Sequence, residues 1–332
     1  MKKAVFACVY ILSIVVFFTA CSKKDAGKQT HQPNVYIIGT SGDSSICWKN
    51  GQAIVLSTDA NIYPTCITTS GNDVYVAGIN YASYPYKIVY WKNGQQFTVT
   101  NNSISAPLCI AVSGNDIYIN DGGSYWKNGQ QYPLLDDNRL PYAMQATTVM
   151  GEDVYMTGVS SGIPTIQGTI FLSAAYWKNG ERVLFHDVEQ NMSISINGIA
   201  VSKAGDVCVL GQFGGGFVGY WKNGQITFLS NNTNAHIFST SGIAVTNNGD
   251  VYVSGVIGLS SPTIAVYWKN GQQVSLGNGS ANGITTCSND VYISGTVPIE
   301  GGRHMAVYWK NGEQVNISPI DNLPTSNTIA VQ

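Results

Sequence analysis

Charge is scarce in this chain. Its 332 residues hold 17 lysines and arginines and 19 aspartates and glutamates, and no stretch is basic. Proteins that hold nucleic acid neutralise phosphates with a basic patch or stripe, so nucleic acid is set aside as a partner. The acidic residues do not recur at alternating positions, as the ligands of a calcium loop do. Past residue 20, no apolar run reaches the roughly 20 residues that a membrane-spanning helix needs. Cysteine offers no full set of bridges. Cys47, Cys66, Cys109, Cys208 and Cys287 follow Cys21, and five thiols exclude complete pairing. Gly, Asn, Ser, Thr and Tyr abound instead, the residues of short strands and tight turns.

One phrase organises the rest. Tryptophan followed by Lys-Asn-Gly occurs at Trp48, Trp91, Trp126, Trp177, Trp221, Trp268 and Trp309, and the chain has no other tryptophan. The spacings run from 35 to 51 residues, the period of a propeller blade and not of a helical repeat. One unit reads as four strands. Residues 242–246 form strand A, 247–250 a tight turn, 251–255 strand B, 265–268 strand C and 273–276 strand D. Asn270-Gly271 joins C to D. Asn-Gly between two β-rich runs is a strong hairpin signal, because both residues tolerate the positive φ of a type I′ turn. The fold class predicted is all-β, a seven-bladed β-propeller with four antiparallel strands per blade.

The ends support that count. The first unit opens at strand B, residues 34–39, with no strand A before it. The tail, residues 326–332, matches strand A of other units. The first blade is therefore expected to be closed by the C-terminal strand, which removes an exposed sheet edge. The propeller domain spans 34–332.

Most repeated residues read as framework. A tryptophan that recurs once per blade, after Tyr in six units and after Cys47 in the first, suits blade-to-blade packing. The aspartates before strand B are expected to bond nearby backbone N–H groups, and the lysines to interleave with them in a self-neutralising surface. Buried free thiols are expected for the cysteines. A Cys66–Cys109 bridge is the alternative, because the two occupy equivalent positions one blade apart.

Residues 1–20 read as a signal peptide, with Lys2 and Lys3 ahead of an apolar stretch over 4–18. Phe18-Thr19-Ala20-Cys21 resembles the lipobox of bacterial lipoproteins. That resemblance implies cleavage before Cys21, lipid on Cys21 and anchoring to a membrane. Ser22 then implies the outer membrane, so the expected location is the bacterial cell envelope, on its periplasmic or its outer side. Residues 21–33 are read as the lipidated cysteine and a flexible polar tether. Without Lys2 and Lys3 the formal charge falls from −2 to −4.

Function is assigned to one face. The A–B and C–D turns are short and repetitive and share a face, so the B–C and D–A loops, which vary, share the other. The candidate ligand-binding residues are Tyr81, Tyr84, Tyr86 and Lys87 in the second blade, and Arg303 and His304 in the seventh. Tyrosines on a loop stack on sugar rings or anchor a protein, or else pack the loop onto its blade. The expected function is a non-catalytic binding or interaction protein whose partner is a glycan or an envelope protein. The alternative is a polysaccharide-acting hydrolase or lyase at the mouth of the central channel. Asp136, Asp137, Asp187, Glu189 and Glu300 are its available carboxylates, but no spacing singles out a pair. His186, His236 and His304 map to the same face; scattered surface histidines are the simpler reading, and neither metal nor cofactor is expected. Over residues 34–332 the chain resembles secreted bacterial propellers built of Tyr-Trp-Lys-Asn-Gly repeats. The signatures of WD40, kelch and Asp-box propellers are absent, so their functions do not carry over.

Overall fold

Seven antiparallel sheets, each ordered A-B-C-D, account for the repeats. The computed structural model describes residues 32–103, 106–107, 109–133, 142–160, 163–164, 170–171, 174–184, 195–213, 217–229, 237–258, 262–317 and 328–332. Blade 2 shows the pattern, with strand A at Ile62–Ser70, B at Asp73–Asn80, C at Tyr86–Lys92 and D at Gln95–Ser103. The A strands of blades 3 to 7 are Cys109–Ser113, Tyr142–Met150, Ser195–Val201, Ile237–Val245 and Ser280–Cys287. Each A strand touches those of both neighbouring blades, so the seven close a ring around the axis. No α-helix occurs among the described residues.

Closure falls at the first blade, as expected. Strand B of blade 1, Val35–Ser41, pairs with Thr328–Val331, Val35 opposite Val331 and Ile38 opposite Thr328. Asn34 donates its backbone N–H to the Gln332 carbonyl at 2.6 Å, and Gln332 returns a bond at 3.0 Å. Ile329 lies in a buried cluster with Ile37 and Trp48 of its own blade and Tyr292 of blade 7.

Each tryptophan is buried and packs against the blade before it. Trp91 joins Tyr36, Ile38 and Cys47 of blade 1. Trp126 joins Cys66, Tyr75 and Ile88 of blade 2, and Trp309 joins Tyr252 and Ala265 of blade 6. The Trp91 indole N–H donates to the Leu56 carbonyl across the blade boundary at 3.0 Å. A buried tryptophan removes about 150–250 Å² from water, roughly 4–6 kcal/mol as an upper bound.

In blade 6 strand A is longer than the sequence pattern indicates. It begins at Ile237, where the pattern placed residue 242. In blades 2, 4, 5, 6 and 7 a β-bulge breaks strand A beside a strand-B glycine. The glycine is a packing requirement. A Cβ on Gly78 would sit 2.6 Å from the Tyr63 carbonyl oxygen and 2.8 Å from the Trp91 ring. Blade 3 departs from the rule, because Asp121 stands at the glycine position and strand A is short and unbulged. The buried Asp121 carboxylate accepts bonds from the N–H groups of Gly123 and Ser124, the Ser103 hydroxyl and the Trp126 indole, at 2.9–3.2 Å.

The B–C connection of blade 4, after Asp153–Ser160, carries a two-residue ladder, Ile163–Pro164 against Ile170–Phe171. The Cys66–Cys109 alternative is overturned: both thiols are free. Cys109 turns to blade 4 and donates to the Thr147 carbonyl at 2.9 Å, whereas Cys66 is buried in the core between blades 2 and 3.

Candidate functional site

The two faces differ in kind. On the turn face, every Lys-Asn-Gly asparagine adopts φ of 47–52° and the following glycine 84–94°, as a type I′ turn requires. The asparagine side chain also ties the C–D turn to strand B. Its Oδ1 accepts the N–H of the residue after the turn aspartate, or after Asn34 in blade 1, at 2.8–3.2 Å in all seven blades. In six blades its Nδ2 donates to the preceding aspartate at 2.6–2.8 Å. The aspartates were expected to bond backbone N–H groups; they bond this side-chain amide and the lysine instead, because the C–D turn folds directly over them. The lysine–aspartate ion pairs measure 2.7–3.1 Å. In six blades the same lysine lies 5.4–5.6 Å over the strand-B tyrosine ring. In blade 5, Cys208 replaces that tyrosine, and Lys222 reaches the Gly249 carbonyl at 3.4 Å. In the six blades that carry the aspartate, these groups serve the frame.

On the loop face the three tyrosines of blade 2 come together, and a fourth joins them. Tyr63 and Tyr81 have ring centroids 5.8 Å apart, Tyr81 and Tyr86 4.9 Å, and Tyr84 and Tyr86 5.3 Å. All three contacts are edge-to-face, the arrangement that aromatic quadrupoles favour. Hairpin geometry explains the cluster: Tyr63 opposes Ile79 across strands A and B, and Tyr81 donates its backbone N–H to the Asn61 carbonyl at 2.9 Å. The Asn80 side chain accepts the Ala82 N–H at 2.8 Å and turns the loop. Partial burial, with Tyr86 and Tyr63 alongside, pushes the Tyr81 hydroxyl above its ordinary pKa. Tyr84 is 70% exposed, Tyr63 45% and Tyr81 44%, so the cluster presents a continuous aromatic surface to solvent.

The other expected residues stand apart from it. Lys87 is exposed opposite Asn80, and strand alternation puts it on the sheet face away from Tyr63 and Tyr86. Arg303 and His304 are exposed on blade 7, with His304 opening strand C opposite Pro298 and Arg303 following a single 3₁₀ turn at Glu300–Gly302. Blade 1 lies between them and the tyrosines, and the ring contacts of the cluster do not extend to them. Cys21, Asp136, Asp137, His186, Asp187, Glu189 and His236 lie outside the described residues. Among the described residues no group of three His, Cys, Asp or Glu side chains is placed to hold a metal. Tyr63 is the residue that sequence reasoning passed over. An aromatic between the buried Ile62 and Pro64 is outward-facing by alternation, and the hairpin sets it beside the Tyr81 loop.

No family model matches the chain, and no curated protein matches it in sequence. Solved structures do resemble it. A prolyl endopeptidase aligns at a TM-score of 0.52 with 13% identity, over 86% of this chain and 48% of that protein. The chain thus spans about half the length of that peptidase. The structure of a nidogen–laminin complex aligns at 0.47 with 10% identity over 90% of this chain and 98% of its own. A gluconolactonase from Xanthomonas campestris aligns at 0.45 with 12% identity over 80% and 92%. At this identity the likeness is one of fold alone, that of a propeller.

Proposed function

We propose that the protein is a non-catalytic binding propeller that takes a glycan on its loop face, and that Cys21 carries the lipid that holds it to the envelope of a bacterial cell. One observation carries the ligand reading: Tyr63, Tyr81, Tyr84 and Tyr86 form one exposed aromatic chain. Sugar rings present apolar C–H faces and a rim of hydroxyls. A tyrosine offers a ring face for the first and a phenolic hydroxyl for the second, at small cost in side-chain entropy. The cluster sits on a strand-supported hairpin, so little ordering is needed on binding.

The test is a glycan-array screen of the chain beside a Tyr81→Ala/Tyr84→Ala variant of matched circular dichroism. Retention of a glycan by the parent and its loss in the variant is the expected result. Equal retention by both would move the ligand away from these tyrosines. No retained glycan at high protein concentration would remove the glycan reading. The membrane reading has its own check, detection of a lipid-modified N-terminal Cys21 peptide by mass spectrometry. An unmodified Cys21 would overturn it.

A further inference from the structure

The grooves between blades open on the turn face, opposite the tyrosine cluster, and two of them hold cavities lined at equivalent positions. Between blades 3 and 4 a cavity of about 510 Å³ is lined by Tyr118, Tyr125 and Lys127 on one wall and Glu152, Val154 and Met156 on the other. Between blades 1 and 2 those positions are Tyr36, Cys47 and Lys49, and Asn72, Val74 and Val76, around about 230 Å³.

The two grooves differ in their charged groups: Asp116, Lys127 and Glu152 line the first, whereas Lys49 and Gln332 line the second. In the first, Lys127 is paired with Asp116 at 2.7 Å, and Glu152 adds a second carboxylate. In the second, Asn34 stands in the aspartate position and its Oδ1 accepts from the Asn50 amide at 2.8 Å. Asn72 stands where blade 4 has Glu152. Lys49 therefore keeps its contact with the Tyr36 ring at 5.6 Å but has no ion pair among the described residues, the Gln332 carboxylate included. Cys47 also replaces the tyrosine that precedes tryptophan in the other six blades, which takes a ring out of the wall. The Gln332 Oε1 on the same wall is buried with no partner. Ile54, Leu56 and Val74 supply apolar surface, and Trp91 closes the floor.

Two departures from the repeat in blade 1 thus act on one groove: one removes a ring and the other removes the counter-charge. We propose that the groove between blades 1 and 2 binds a small organic carboxylate, with the Lys49 ammonium against the anion and Ile54, Leu56 and Val74 against its apolar body. The site is independent of the tyrosine cluster and stands or falls separately.

Titration calorimetry of the full chain with benzoate tests it, with benzyl alcohol as the uncharged control. Saturable benzoate binding is expected, with none for the alcohol. Asn34→Asp installs the ion pair that six blades already carry, so it preserves the fold and should weaken benzoate at least tenfold. Lys49→Ala should abolish binding, Lys49→Arg should retain it, and Lys127→Ala in the other groove should leave it unchanged. Equal affinity in the parent and Asn34→Asp would overturn the site, as would benzoate heats no larger than those of the alcohol. Thermal melts of each variant separate lost binding from lost fold.

Discussion

Asn93 reaches from the C–D turn of blade 2 to the start of strand B and donates to the Asp73 carboxylate at 2.7 Å. Its Oδ1 accepts the Val74 N–H at 2.9 Å, and its own N–H returns to the Val74 carbonyl at 2.9 Å. A residue that sets turn geometry is therefore also a cross-link between two turns. This double duty explains why asparagine, rather than aspartate or glycine, stands before the turn glycine in each of the seven repeats.

Replacing Asn93 separates those duties. Asn93→Gly keeps the positive φ and loses two side-chain hydrogen bonds, each worth about 0.5–1.5 kcal/mol. Asn93→Ala loses the same bonds and adds roughly 1 kcal/mol of backbone strain. Urea denaturation should rank the parent above Gly and Gly above Ala. An inverted order would separate the turn from the clamp.

Trp91→Ala should cost about 3–5 kcal/mol, because it empties a site packed by two blades. A loss below about 1 kcal/mol by denaturant titration would contradict its role as a blade-to-blade contact.

Removing residues 328–332 should lower the melting temperature sharply. It exposes the inner edge of Val35–Ser41 and uncovers Ile37 and Trp48. An unchanged melting temperature in differential scanning calorimetry would refute closure by this strand.

Acid should weaken the ring of turns. Hydrogen bonds from Lys92 and Asn93 hold the Asp73 carboxyl below its ordinary range, and the Asn223 and Lys222 side chains do the same for Asp206. Asp116, Asp153, Asp250 and Asp290 are depressed by the corresponding partners. A depressed carboxylate binds fewer protons folded than unfolded, so its contribution is complete above the unfolded value near pH 4 and is lost as pH falls through the folded values. The melting temperature should hold from about pH 7 to about pH 5 and decline below about pH 4. The pairs are solvent-facing, so salt should blunt the decline.

Thiol reagents provide another check. Burial pushes the Cys47 and Cys208 thiols up to about 12 and raises Cys66 further still. These three should stay unreactive in the native protein near pH 8 and react on unfolding. Rapid native labelling of Cys66, followed by peptide mapping, would show that the core between blades 2 and 3 is open.

Architecture was legible in the sequence because it repeats. The seven tryptophans give the blade count, Asn-Gly gives the turns, and a missing first strand beside a surplus last one gives the closure. Three features were not legible. The A-strand bulges hide because an inserted residue shifts the apolar alternation that marks a strand, so the pattern truncates it. The asparagine–aspartate clamp hides because its partners lie 12–26 residues apart and belong to different turns. Tyr63 hides because a lone aromatic at a strand start carries no local signal until the hairpin register sets it beside Tyr81. The loop tyrosines were found from composition, but their contact as one chain of rings is a property of the fold.

The strand at Thr328–Val331 works as a clasp, with consequences in time. Strands B, C and D of the first blade emerge early from whatever machinery delivers the chain, yet their inner neighbour is nearly 300 residues downstream. Until it arrives, the edge of Val35–Ser41 is an unpaired template able to recruit a strand from another molecule. The last four-residue strand to arrive is thus the one that decides whether the ring closes on itself or on a neighbour.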